Sequence, residues 1–128
     1  MRAAVAKEAA IVYARKKMIK SDKKTQKRQE KEIAGMVGGK RQPFSGASER
    51  AKGDGISDDF LIEAKQTEKQ SLSIKLKWLE KIDEEAMAVN KYPLLAIEFL
   101  NADPRASKDW IAVPKYVFQE LFDSWKDK

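Results

Sequence analysis

Between Lys52 and Lys65 the chain reads KGDGISDDFLIEAK, two short runs of strand character separated by the polar turn Ser57-Asp58-Asp59. The second run, Phe60-Leu61-Ile62-Glu63-Ala64-Lys65, opens with three apolar residues and ends with the charged Glu63 and Lys65 on either side of Ala64. Side chains alternate between faces along a strand, so Leu61, Glu63 and Lys65 share one face and Phe60, Ile62 and Ala64 the other. A hairpin closing symmetrically about Asp58-Asp59 sets Ser57 opposite Phe60 and Asp54 opposite Glu63. Directly opposed side chains have Cβ atoms roughly 5 Å apart. The register therefore brings two carboxylates together, with a lysine on the same face one step further along.

Opposed carboxylates repel unless positive charge lies between them. A hard divalent cation meets that need, because Mg²⁺ takes oxygen ligands from one or two carboxylates and fills its shell with water and phosphate. A lysine beside it orients an attacking water or offsets charge developing on phosphate. In a chain with 36% charged residues, a Glu-x-Lys pair alone reads more readily as a surface ion pair and Asp54 as a turn residue. Asp54 in register and an apolar strand beneath the pair favour the site.

Composition narrows the chemistry further. The 128 residues contain neither cysteine nor histidine. Ser-His-Asp and Cys-His catalysis are excluded, as are disulfides and zinc sites built on thiolate or imidazole. Carboxylates, lysines, hydroxyls and a hard metal are what remain. One domain is expected at this length, with 42% apolar residues to form its core. No run approaches the roughly 18 apolar residues of a membrane span. Lys7 and Glu8 interrupt the start, against a secretory signal, so a cytoplasmic location without membrane contact is expected.

Charge is unevenly distributed. Residues 1–52 carry fifteen Lys or Arg against five Asp or Glu, a balance of +10, whereas residues 53–128 carry −4. A basic half joined to a more acidic half points to a polyanion, nucleic acid first. A solubilising lysine-rich tail is the plain alternative.

Alanine-rich residues 3–19 predict a basic helix that packs on a partner, lies on DNA or frays. Ser21-Asp22 predicts the cap of a helix over 23–36, which Gly38-Gly39 ends and on which Gln26, Glu30 and Ile33 lie near one face. Lys40 to Phe44 reads as a short strand, with Pro43 at an edge or end. Residues 45–53, rich in Ser and Gly, read either as a linker or as a loop facing phosphates with Lys40, Arg41, Ser45, Ser48, Arg50 and Lys52.

Leu76, Leu79, Ile82, Ala86 and Val89 predict a helix over 75–90, capped by Ser73 and with that stripe in the core. Leu94 to Leu100 has strand length and is apolar enough for a sheet covered on both faces. A strand at 110–113 and a helix opening at Pro114 complete the chain, the helix either covering the sheet or pairing with a second subunit. Trp78 and Trp110 are read as core residues, with base stacking as the alternative. The order implies a mixed α/β sheet flanked by helices.

Taken together, Glu30 on a helix, Asp54, and Glu63-Ala64-Lys65 on the following strand resemble the PD-(D/E)xK nuclease superfamily. The likeness is to archaeal-type Holliday junction resolvases and related small phage endonucleases. It rests also on Glu30-Lys31-Glu32-Ile33, on Lys40-Arg41 before Ser45-Gly46-Ala47-Ser48, and on the strands at 60–65 and 94–100. It spans about residues 26–113. That family often has proline before its Asp, where this chain has Gly53.

The resemblance implies a restriction-endonuclease-like fold over residues 23–128, with residues 1–22 as a basic helical extension. It implies Mg²⁺, replaceable by Mn²⁺, held by Asp54, Glu63 and the Ala64 carbonyl, with Glu30 at a second ion or its water. Lys65 would position hydroxide or steady the phosphate, and Gln66 would orient a ligand or simply end the strand. The implied activity is DNA cleavage, at a Holliday junction first, by a homodimer with two active sites, acting in the cytoplasm, that of a host cell if phage-encoded. Two alternatives stand beside it: a duplex endonuclease indifferent to branching, and a basic protein that binds DNA without cutting it.

Overall fold

The computed structural model describes residues 18–42 and 53–128. The N-terminal helix read over 3–19 falls almost wholly outside them, as do Ser45, Ser48, Arg50 and Lys52. The elements run α1 (Lys23–Met36), β1 (Lys40–Arg41), β2 (Gly55–Ile56), β3 (Phe60–Thr67), α2 (Leu76–Ala88), β4 (Tyr92–Phe99), β5 (Asp109–Ala112) and α3 (Lys115–Lys126). The strands form one open sheet in chain order, antiparallel except for the parallel pair β3 and β4.

The alternation on β3 divides the core in two. Ile62 packs with Leu94 and Ala96 of β4 against Ile33 and Ala34 of α1, while Leu61 on the opposite face meets Ile82 and Ala86 of α2. Helix α1 begins as its sequence predicts. The Asp22 carboxylate accepts the Thr25 N–H at 2.8 Å and the Thr25 hydroxyl accepts the Asp22 N–H at 2.9 Å, a reciprocal cap.

The helix over 76–88 is present, but Ser73 does not cap it; Lys75 stands at that position and makes no side-chain cap. Its stripe is only partly core. Ile82 and Ala86 are buried, whereas Leu76 and Leu79 stay exposed along a groove shared with Pro93, Leu95 and Ala112. Pro93 lies inside β4 rather than before it. Tyr92 donates its N–H to Asp59 on the β3 side, so the proline nitrogen faces the other way, where β5 reaches back only to Leu95. A missing donor costs little there. Helix α3 neither covers the sheet nor hides its apolar arc: Val117 is buried, but Phe118, Leu121, Phe122 and Trp125 are exposed.

A glutamate lies within the near-continuous apolar run of β4. Glu98 is fully buried and accepts both Arg28 Nη2 contacts, at 2.7 and 2.8 Å, a Gln66 amide bond at 2.8 Å and the Lys108 ammonium at 3.3 Å. Burial opposes its charge, yet these donors outweigh burial and hold its carboxyl below the usual range. Removing one partner of a buried pair leaves the other charge stranded. Arg28→Ala should therefore cost about 3 kcal/mol of stability, measured as a lower urea midpoint at unchanged slope; a change under about 0.5 kcal/mol, the surface range, would mean that Lys108 and Gln66 suffice.

Candidate active site

The hairpin closes in the register read from its sequence: Gly55 pairs with Ile62 and Ile56 with Leu61. One step outward, the Asp54 N–H donates to the Ile62 carbonyl at 2.7 Å, and the Gln42 N–H donates to the Asp54 carbonyl at 2.8 Å. Asp54 is thus fixed by strands on both sides. Its carboxylate Oδ2 accepts the Ala64 N–H at 2.8 Å.

Gly53 explains why this chain has no proline before its aspartate. Its φ of +95° is closed to proline and rare for any side chain, and an added Cβ would come within 2.9 Å of the Ile62 carbonyl oxygen. The chain enters β2 through that turn, and the turn aims Asp54 at β3.

Beyond Asp54, β3 continues as a strand without β2 beside it. The N–H and C=O of one residue point to the same side of a strand, so the Ala64 carbonyl faces this open edge with its N–H. A cleft of about 310 Å³ lies there, lined by Gln26, Gln29 and Glu30 of α1 and by Asp54, Glu63, Ala64, Lys65 and Gln66. The fold brings together all four residues assigned to catalysis by the sequence.

Electrostatics distinguish the acids. Burial and then repulsion by Asp54 push the Glu63 carboxyl up to about 7, outweighing the nearby Lys65 and Lys81. Glu85 on α2 adds further repulsion, and one of its oxygens is buried without a hydrogen bond. Burial likewise raises Glu30, but Arg41 Nε holds its carboxylate at 2.7 Å. Arg41, expected at DNA phosphates, is therefore engaged inside the protein, while Lys40 on the edge strand is exposed.

Lys65 Nζ lies 3.8 Å from Glu63 and 4.5 Å from the centre of the Trp78 ring. Gln29 donates to the Lys65 carbonyl at 2.9 Å. Gln66 lines the cleft and is also tied into the scaffold: its amide nitrogen donates to the Thr25 carbonyl and to Glu98, and its oxygen accepts the Ser21 and Thr25 hydroxyls. Sequence reasoning overlooked Arg28 and Glu98, although a lone acid in a buried strand is a signal for such a network.

Among the described residues, no three acidic side chains gather closely enough to hold a metal as a group. The donor set is smaller: two carboxylates and a backbone carbonyl, all oxygen and charged −2 between them. That set suits Mg²⁺ or Mn²⁺, which keep several waters and need only one or two carboxylates. Glu30 does not complete it while paired with Arg41.

Compared with known protein families, with characterised proteins and with solved structures, the chain shows no match. No helix among the described residues is long and apolar enough to cross a membrane.

The raised Glu63 carboxyl has a measurable consequence. A group that binds its proton more tightly when folded stabilises the protein at low pH. Its contribution is then lost as pH rises from the unfolded value of 4.5 through about 7. In chelator, Glu63→Gln should be more stable than the parent at pH 8, by up to about 3 kcal/mol, with the advantage gone near pH 4.5. Thermal melts across that range test it; equal stability at pH 8 would show that Glu63 is not under strain.

Proposed function

We propose that this protein is an Mg²⁺-dependent DNA endonuclease with a restriction-endonuclease-like fold, whose substrate is branched DNA, the four-way Holliday junction first. The observation that carries the reading is that Asp54 and Glu63 line one cleft and repel each other there, with the Ala64 backbone and Lys65 beside them. The order of helix, short strand, hairpin, Glu-x-Lys strand, helix and strand supports it as well, because that is the order in the PD-(D/E)xK nucleases.

Asp54, Glu63 and the Ala64 carbonyl would hold the ion. Bound there, Mg²⁺ supplies a Lewis acid that lowers the pKa of a coordinated water and neutralises phosphate charge. The protein's own residues do the rest. Asp54, anchored by three hydrogen bonds to β1 and β3, fixes the height of the cleft floor. Lys65 presents ammonium donors to the attacking water or to the non-bridging oxygens, where charge grows as the new P–O bond forms and the P–O3′ bond breaks. The departing 3′ oxygen takes up a proton from water.

Lys23, Lys24, Lys27 and Lys31 lie exposed on α1, the helix that forms one wall of the cleft. They offer salt-sensitive contacts for a DNA backbone. Symmetric cuts across a junction require two active sites, and the exposed arc of Phe118, Leu121, Phe122 and Trp125 offers apolar surface for a homodimer.

The reading is tested with a synthetic four-way junction and a linear duplex of equal length, each with Mg²⁺ and with chelator. The dimeric protein should cut the junction in Mg²⁺ only. Asp54→Ala should lower the rate by about 10³-fold or more while junction affinity stays within about threefold, since Asp54 makes no cationic contact to phosphate. An equally active Asp54→Ala, or a parent that cuts neither DNA, refutes the nuclease. Equal cutting of both DNAs removes only the branch selectivity.

A further inference from the structure

Lysine is a poor tool for a fixed task unless something restrains it, because its ammonium rides on four rotatable carbons. In this cleft Lys65 has a carboxylate neighbour that ought to capture it. Yet the distance from Nζ to the Glu63 oxygen is 3.8 Å, longer than a hydrogen bond, while the Trp78 ring centre lies 4.5 Å away. The ammonium stands over an aromatic face, within the roughly 6 Å at which a ring quadrupole attracts a cation. Trp78 comes from the first turn of α2, on the sheet face that Leu61, Glu63 and Lys65 share, and it is half-buried. It lies outside the Asp and Glu-x-Lys pattern altogether.

We propose that Trp78 is the positioning residue for Lys65: its indole face holds the ammonium off Glu63 and turned toward the cleft, leaving Glu63 to the metal and the lysine donors to phosphate. This rests on the nuclease reading above. The physical logic is a competition between two partners. A direct Lys65–Glu63 hydrogen bond would neutralise the carboxylate that the ion needs and occupy a donor that the phosphate needs. An aromatic face attracts the same charge without taking up a donor. Lys75 lies 5.9 Å from the ring centre, at the limit of that attraction, so the ring is shared only weakly.

Three variants of the full-length protein separate this role from simple packing. Trp78→Leu keeps an apolar side chain but no π face, Trp78→Phe keeps a face, and Lys75→Gln removes the second cation. Under saturating junction DNA and Mg²⁺, Trp78→Leu should lose about tenfold in kcat with KM within about twofold. Trp78→Phe should remain within about threefold of the parent, and Lys75→Gln should be unchanged in kcat. A packing role would lower stability in both Trp variants without this order in kcat.

The contact is also readable without cleavage. In the parent, ring current should shift the Lys65 ε-methylene proton resonance upfield, and the signal is assigned by its loss in Lys65→Arg. It should persist in Trp78→Phe and vanish in Trp78→Leu. Absence of the shifted signal in the parent, or a Trp78→Leu protein with unaltered kcat, overturns the proposal. A parent that shows the shifted signal yet cuts no DNA sinks the nuclease reading instead, while leaving the Trp78–Lys65 contact established.

Discussion

Two carboxylates, Asp54 and Glu63, line one cleft at the open edge of β3, and the rest of the fold is what keeps them there. Left to themselves, Asp54 and Glu63 would separate by rotation or take up a proton; burial first, and then Asp54, raises the Glu63 carboxyl in that second direction. Separation is prevented by backbone geometry. Asp54 is held by Gln42 and Ile62 through its main chain and by Ala64 through its side chain. Glu63 sits on a central strand whose other residues are locked into both halves of the core. Repulsion that cannot relax is a standing attraction for a cation.

The same reasoning explains why the strand carrying Glu63 outlasts its neighbour. β2 is two residues long, so past Gly55 the edge of β3 is open and its main-chain oxygen faces the cleft. Helix α1 closes the far side. Its position is set by a polar network with Glu98 at the centre and Arg28, Gln66, Ser21 and Thr25 around it. Buried networks of this kind are costly when incomplete and rigid when satisfied. Arg28 and Thr25 lie on α1 and Gln66 on β3, both of which line the cleft, so the rigidity is delivered to the site.

Much of this could be read from the residues. Alternation in Phe60 to Lys65 assigned each side chain to its face, and the symmetric turn at Asp58-Asp59 set the pairs Gly55–Ile62 and Ile56–Leu61 that lead Asp54 into the cleft with Glu63. Local chemistry decides both, since pleat and turn act over a few residues. The Asp22–Thr25 cap was legible for the same reason. What escaped was long-range. The engagement of Arg41 by Glu30, the meeting of Arg28 and Glu98 across seventy positions, and the approach of Trp78 to Lys65 depend on how helices dock. Periodicity marked Leu76 and Leu79 as core, but it cannot say how closely the start of a helix docks on the sheet beneath it. Likewise the arc on α3 was visible as apolar, not as uncovered.

The central claim is that the hairpin presents a two-carboxylate cup for a divalent cation. The most direct measurement is crystallography on protein soaked with Mn²⁺, using anomalous scattering to locate the ion. The account expects one ion within about 2.2 Å of a carboxylate oxygen from each of Asp54 and Glu63 and close to the Ala64 carbonyl. An ion bound elsewhere, or a cleft that stays empty at millimolar Mn²⁺ while the two side chains turn apart, would contradict it.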